Sequence, residues 1–291
     1  MNRLSIAIIT CIIVVCTTMG GCATNPHNDR AQFVAPPVVS EVYSRANLQF
    51  MLVSTSSVPS GCGDADCFNR EQFERRVAGV GARLAAAAYQ AYPGLAERVP
   101  GFDFSVVDKA EPGTVSTAGG QVVVLRPVST VAPGEEALAF VIAREIGHVV
   151  GRHHDENTGA SLVVSALATV LMPVANIAKF LATLFSGATT TTASVSVTAA
   201  SYAGSKALIE SYRPRQREEA DQIAMKLVAQ LGFDARSVAA GFAFADPLSP
   251  ATRWMGDLRT SVERLASPAN PTAALAAVPY AVLVQAASPA R

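Results

Sequence analysis

The chain has 291 residues, which is enough for one large domain or two small ones. Its 23 basic and 23 acidic side chains cancel, and no basic run interrupts the balance, so the composition does not indicate a nucleic-acid-binding protein. No internal repeat is visible, which argues against a solenoid or an array.

The N-terminus has the pattern of an export signal. Residues 1–21 place Arg3 before a short apolar core and lead into Gly20-Gly21-Cys22, which is similar to a bacterial lipobox. The core is too short to span a bilayer and has the flanks of a signal peptide. We therefore predict cleavage before Cys22 and lipidation of that cysteine. The alternative is a membrane anchor that is never removed.

Cysteine usage agrees with export. Cys62 and Cys67 remain in the mature chain besides Cys22, and they bracket a turn-forming stretch. In an oxidising compartment such a pair is predicted to form a disulfide. Ala23 rather than aspartate follows Cys22, which by resemblance to bacterial sorting rules favours the outer membrane, facing the periplasm.

Composition divides the mature chain into three parts. Residues 22–60 are rich in Pro, Ser, Asn and Val and are predicted to be a lipid-anchored tether with one short ordered piece. Residues 61–266 carry the periodic patterns of a folded domain. Residues 267–291 form an Ala/Pro-rich tail to which we assign no function.

The folded part begins with an amphipathic helix and two strands. Residues 71–92 repeat apolar side chains at helical spacing and stop at Pro93-Gly94. Residues 102–107 alternate as a strand does, and 113–126 are predicted to be a turn that leads into a β-branched strand. After the central region, further helices are predicted over 212–231, 237–245 and 254–265.

The central helix, predicted over 135–155, carries the chemistry. It contains Arg144-Glu145-Ile146-Gly147-His148, which is the H-E-x-x-H motif with arginine in place of the first histidine. In the intact motif two histidines one turn apart hold zinc, and the glutamate activates a bound water as general base. Here Glu145 would be a vestigial base, and His148 is the residue that matches a ligand.

A second informative stretch follows. Residues 162–175 are almost wholly apolar, but Pro173, Asn176 and Lys179 interrupt the run before it reaches the roughly 20 residues of a membrane span. We predict a helical hairpin over 160–210 that packs over the central helix or enters the bilayer surface. A true transmembrane span is the alternative.

The order of these elements resembles the HtpX-like and CAAX-prenyl-protease-like zinc endopeptidases, including soluble periplasmic relatives that attend outer-membrane assembly. The resemblance rests on four motifs in order. They are Gly119-Gly120 before Val122-Val123-Val124, then Arg144 to His148, then Arg152-His153, and then Glu219-Ala220-Asp221.

The resemblance implies a site that this chain only partly matches. The third zinc ligand of the family is a glutamate four residues before the aspartate, and that position is Arg217 here. Asp221 would support the site from beside the ligands. Guanidinium groups have no free lone pair and stay protonated, so neither Arg144 nor Arg217 can bind a metal. A family Thr-His-Pro is matched by Ala245-Asp246-Pro247.

Two alternatives remain open at this point. Residues 144–154 also fit the metzincin spacing, which would add His154 to His148 and still supply two ligands. A working zinc endopeptidase in envelope quality control, with another ligand set, is the alternative function. A fold kept as a scaffold without either activity is a third.

The sequence therefore predicts an α+β, zincin-like domain with a small, mostly antiparallel sheet packed on helices and an apolar helical hairpin. The expected function is a degenerate metalloendopeptidase without a cofactor, or with zinc if the site is active. Its expected partners are the membrane and extended polypeptides, which would pair with an exposed strand at Val122, Val123 and Val124. We also predict that an ion-pair cluster replaces the metal, with Arg144 on Asp221 and Arg217 on Glu145 or Glu218.

Overall fold

The computed structural model of the chain describes residues 21–56, 64–171, 192–244 and 253–267. The chain divides into two compact units, Met1–Ser44 with Arg152–Gln216 and Arg45–Gly151 with Arg217–Arg291. The region 61–266, predicted as one domain, contributes residues to both units. The predicted signal core, Cys62, the interrupted stretch 173–179, the segment 245–247 and the tail from 268 lie outside the described residues.

The first unit begins with a β-hairpin. Strands β1 (Gly21–Thr24) and β2 (Ala31–Val34) are antiparallel, and Cys22 faces Phe33 across the pair. Asp29 takes a left-handed conformation in the connecting turn, with φ 56°. Helix α1 (Pro37–Ser54) follows, and its residues from Arg45 onward belong to the second unit. The prediction of a tether over 22–60 was wrong, because most of this stretch is hairpin and helix.

The hairpin packs along helix α6 (His153–Leu171) of the same unit. The Ala35 amide donates to the Asp155 carbonyl at 3.0 Å. Buried Glu156 on α6 accepts two hydrogen bonds from Arg30, at 2.6 and 3.0 Å. Gln32 donates to the same carboxylate at 3.3 Å and Gln216 at 2.8 Å. A buried polar cluster therefore fixes the hairpin to the helix.

Helix α7 (Thr192–Gln230) contains Pro214, and the boundary between the units falls after Gln216. It includes the helix predicted over 212–231. The predicted hairpin over 160–210 is described at its two ends, where α6 reaches Leu171 and α7 begins at Thr192. Among the described residues, no helix is both long and apolar enough to cross a membrane.

The second unit encloses the main hydrophobic core. Its helices are α2 (Asp64–Ala91), α3 (Leu95–Arg98), α4 (Val128–Val131), α5 (Glu135–Val150), α8 (Ala235–Ala240) and α9 (Arg253–Ala266), with α7 from Arg217 onward. Side chains predicted to share one face of α2 are all buried in this core: Phe73, Val77, Val80, Leu84 and Ala88. The helical periodicity was therefore interpreted correctly. Cys67, near the start of α2, is disulfide-bonded.

The sheet of this unit has three strands, β3 (Asp103–Val107), β4 (Thr114–Ser116) and β5 (Gln121–Leu125), in the order β3-β5-β4. Strand β5 is parallel to β3 and antiparallel to β4, so the sheet is mixed. Val122, Val123 and Val124 are buried and paired on both sides. They cannot receive a peptide strand, and the prediction that they form the exposed strand was wrong.

Glycine allows the turn between β4 and β5. Gly120 has φ 92°, and a Cβ atom there would lie 2.5 Å from Val99 Cγ1 and 2.9 Å from the Gly101 carbonyl oxygen. Another residue would meet both backbone strain and a clash. The short turn makes β4 and β5 a hairpin and places Gly119-Gly120 where the sequence indicated a turn.

Helix α5 ends earlier than predicted. It stops at Val150, Gly151 caps it, and Arg152 takes a left-handed conformation with φ 59°. His153 then begins α6 and is almost completely buried, with 1% of its surface exposed. The prediction of one helix over 135–155 that ends in polar histidines was therefore wrong, since the left-handed residue breaks the helical path.

Candidate functional site

The candidate site lies where α5 crosses the second half of α7. Most of α5 is buried, including Arg144 and Glu145. Gly147 lets the two backbones approach closely, because a Cβ atom there would lie 2.6 Å from the carbonyl oxygen of Ala220. This close crossing brings the motif residues of α5 beside Asp221.

Strand β4 holds the motif glutamate. Thr114 Oγ1 donates to Glu145 Oε1 at 2.7 Å, and Ser116 Oγ donates to Oε2 at 2.8 Å. The indole nitrogen of Trp254, on α9, donates to Thr114 Oγ1 at 3.0 Å. Indole, hydroxyl and carboxylate therefore form one chain of hydrogen bonds that fixes Glu145 from the edge of the sheet.

Burial determines the ionisation of Glu145. Desolvation raises its pKa above the ordinary value, although the hydrogen bonds from Thr114 and Ser116 and the charge of Arg144 oppose the rise. A buried carboxylate served mainly by neutral donors is less stabilised than one in a full ion pair.

Arg144 pairs with Asp221, as predicted. Its Nε lies 2.9 Å from Asp221 Oδ1, and both side chains are 7% exposed. Burial raises the pKa of Asp221, while the charges of Arg144, Arg264 and Arg217 oppose the rise. Ser261 also lies near this carboxylate, but its hydroxyl donates to the Asp257 carbonyl at 3.1 Å.

Arg217 has a different partner from the predicted one. Its guanidinium donates to the Asp257 carboxylate on α9, and the two side chains are 22% and 25% exposed. The prediction of a pair with Glu145 or Glu218 was wrong, because the hydroxyls of β4 hold Glu145 and Glu218 is exposed. Arg264, also on α9, lies 3.7 Å from Asp221 Oδ2 and extends the ion-pair network.

The described residues at this crossing do not offer a set of metal ligands. His148 is partly buried one turn after Arg144 on α5, and His154 belongs to α6. Among the described residues, no group of three or more His, Cys, Asp or Glu side chains could hold a metal ion. At the remaining ligand positions of the motif, Arg144 and Arg217 are engaged with carboxylates.

The sequence model of Peptidase family M48 matches residues 72–273, which is more than half of the chain. The chain belongs to peptidase family M48. The match includes α5, the described part of α7 from Thr192 and α9, so all the elements that build the site lie within it. A helix-rich α+β fold with small sheets is consistent with this membership.

Family M48 is normally zinc-dependent, and this chain can be tested for its fit to zinc. Zinc in a catalytic site takes three protein ligands and a water. Two of the three motif positions carry guanidinium groups, which have no lone pair to donate and repel a cation. The buried Arg144–Asp221 pair also engages the aspartate that would lie beside the metal. The residues present therefore do not fit a zinc ion.

Sequence reasoning missed several members of this M48 site. Thr114 and Ser116 were within a predicted turn, and Asp257 and Arg264 were on a helix to which no role was given. The alternation of Thr114, Val115 and Ser116 could have indicated a strand with two hydroxyls on one face. No signal in the sequence joins Arg217 to Asp257, since they are 40 residues apart.

Proposed function

We propose that this M48 protein is a non-hydrolytic member of its family, in which an ion-pair network takes the place of the zinc centre. The observation that carries the proposal is the buried contact between Arg144 Nε and Asp221 Oδ1 at 2.9 Å. The guanidinium of Arg144 stays protonated and is already paired with the Asp221 carboxylate, at the place where the family holds a divalent metal ion. Without a metal, no group in this network lowers the pKa of an attacking water.

Glu145 supports the same proposal. A general base must have a free oxygen that reaches the water it activates. Here both carboxylate oxygens accept hydrogen bonds from β4. Glu145 therefore serves as a structural link between α5 and the sheet.

We further propose that the protein binds extended polypeptides along β4. This strand pairs with β5 and with no other strand among the described residues. The Leu125 amide donates to the Gly113 carbonyl, and the Thr117 amide donates to the Gln121 carbonyl. In an antiparallel pair, residues that bond to the partner strand alternate with residues whose backbone groups point away from it. The N–H and C=O of Thr114 therefore point away from β5. An added strand could use those groups. The peptide would lie next to the fixed Glu145, at the place where a peptidase holds its substrate.

The export signal and Gly20-Gly21-Cys22 support a location in the cell envelope. We propose that the mature protein is a lipoprotein anchored through Cys22, in the outer membrane and facing the periplasm. Cys22 is exposed and is a free cysteine, so its thiol is accessible for modification.

Zinc content tests the central proposal. We expect the purified wild-type protein to contain less than about 0.1 zinc per chain and to leave casein intact, because its ligand positions carry guanidinium groups. The double variant Arg144→His with Arg217→Glu should gain zinc. Arg83→His, on an exposed residue of α2, is the matched control for a new histidine. Stoichiometric zinc and casein cleavage in the wild type would mean that the protein is an active peptidase.

Peptide binding needs its own test. The probe is reduced, carboxymethylated lactalbumin, which cannot fold, and binding is followed by fluorescence anisotropy. We expect competition by a short β-forming peptide and none by the same peptide N-methylated at alternate residues, because N-methylation removes the amide donors that strand addition needs. Equal competition by both peptides would contradict binding along β4.

A further inference from the structure

The hairpin of the first unit has an exposed face without charge. Because strand partners point to the same side, Cys22, Thr24, Ala31 and Phe33 share one face of the β1–β2 pair. All four are exposed, and Phe33 has 39% of its surface accessible. The opposite face carries Gln32 and Val34, which are buried. The outward face is therefore small and uncharged, and it includes the lipobox cysteine.

This face continues onto helix α6. A Cβ atom at Gly159 would lie 3.1 Å from the Phe33 ring and 2.9 Å from the Phe33 carbonyl oxygen, so the phenylalanine lies directly against this part of the helix. Leu162 is one turn further along and is 38% exposed. It begins the almost wholly apolar sequence of 162–171, which is the second half of α6.

The hairpin and the helix are held as one piece. Arg30 and Gln32, from the hairpin, donate to the buried Glu156 carboxylate of α6. The Ala35 amide bonds to Asp155 in the same turn. A charged network of this kind, with several donors on one buried carboxylate, fixes the geometry of both elements. Cys22 is therefore carried on a rigid surface beside α6.

We propose that the acyl chains of Cys22 and the Leu162 end of α6 enter the same leaflet of a lipid bilayer, with Phe33 between them at the level of the headgroups. This inference rests on the proposed lipidation of Cys22. The occupant of the apolar face is lipid, because acyl chains on Cys22 leave the protein from that face and no tether separates the cysteine from the fold. Burial of Leu162 and Phe33 adds to the anchoring that the acyl chains provide. The first unit is thus seated on the membrane in one orientation.

The test uses the full chain, acylated in a bacterial host and reconstituted in phosphatidylethanolamine and phosphatidylglycerol vesicles. A bimane probe is attached to Leu162→Cys, because this side chain is 38% exposed and can carry a label. Cys67 is disulfide-bonded and an acylated Cys22 has no free thiol, so neither competes for the label. Quenching by iodide is compared between the vesicle-bound protein and the soluble Cys22→Ser form. Circular dichroism checks that each variant is folded.

We expect iodide quenching at Leu162 to fall about threefold on vesicles, and lipids with brominated chains to quench the same probe. The matched control is Asn28→Cys, at the exposed turn of the same hairpin, where iodide quenching should be equal in both forms. Undiminished iodide quenching at Leu162 in an acylated, bound protein would overturn the shared leaflet and leave the lipoprotein proposal standing. Mass spectrometry that finds no acyl group on Cys22 would overturn both.

Discussion

Two buried glutamates, one in each unit, show how differently a carboxylate can be used inside this protein. Glu156 receives two hydrogen bonds from Arg30 and one from Gln216. Burial alone would raise its pKa, but these donors and the charges of Arg30 and His153 outweigh burial and lower it. Glu145 accepts hydrogen bonds from two hydroxyl groups instead. Burial raises its pKa by more than these donors and the charge of Arg144 lower it, so its pKa is raised.

The difference separates a carboxylate that is held by a charged donor from one that is held by hydroxyl groups. A charged donor that is itself fixed compensates the loss of water around Glu156, and the pair stabilises the fold. Glu145 belongs to a motif in which a metal would supply the positive charge, and Arg144 next to it is directed at Asp221 instead. The two carboxylates should therefore respond differently to substitution and to pH.

Loss of the charged donor should have the largest effect. Arg30→Met leaves Glu156 buried with amide donors alone, and we expect the free energy of unfolding to fall by about 3–5 kcal/mol. Chemical denaturation followed by circular dichroism measures the change. The matched control is Arg83→Met, which breaks an ion pair between half-exposed side chains and should cost no more than about 1 kcal/mol. Equal effects from the two variants would mean that the buried pair is no stronger than a surface pair.

Removal of the Glu156 charge should have a smaller effect that depends on pH. Glu156→Gln should cost about 2 kcal/mol at pH 7, because it loses charge-assisted hydrogen bonds. Since the pKa of Glu156 is lowered by folding, its contribution is present above the unfolded pKa and is lost as pH falls through the folded pKa. The stability curves of variant and wild type should therefore converge in acid. A gap that stays constant down to low pH would contradict the ion-pair interpretation.

The corresponding change at Glu145 should be the smallest and should have the opposite sign. Folding raises the pKa of Glu145, so wild-type stability falls as pH rises from about the ordinary glutamate value towards the folded pKa. Glu145→Gln removes this loss, and we expect a gain of up to about 1 kcal/mol at pH 7 that shrinks as pH is lowered. The measurement is the same denaturation series. Destabilisation at neutral pH would mean that an ionised Glu145 stabilises the fold.

Periodicity and motif spacing predicted the parts of this protein that depend on neighbours in sequence. The buried face of α2 and the placement of Arg144 and Glu145 on one helix follow from a repeat of 3.6 residues. The pair between Arg144 and Asp221 was also predictable, because opposite charges on two facing helices have to find each other when buried.

The errors share a different cause, which is dependence on distant contacts. Arg217 pairs with an aspartate on α9, and β4 is an edge strand because it pairs with β5 alone among the described strands. Neither fact is visible in local sequence. The helix break at Arg152 depends on a single left-handed residue, which the apolar repeat does not reveal. Composition alone made 22–60 resemble a tether, although two strands and a helix are formed there.

The crossing at Gly147 sets how closely α5 approaches α7. Two main chains meet there, since a methyl group at Gly147 would already lie 2.6 Å from the Ala220 carbonyl oxygen. We therefore expect the double variant Arg144→His with Arg217→Glu to keep the spacing of the two helices. Under the proposed function, metal content in this architecture then depends on side chains at positions 144 and 217 and not on the path of the backbone.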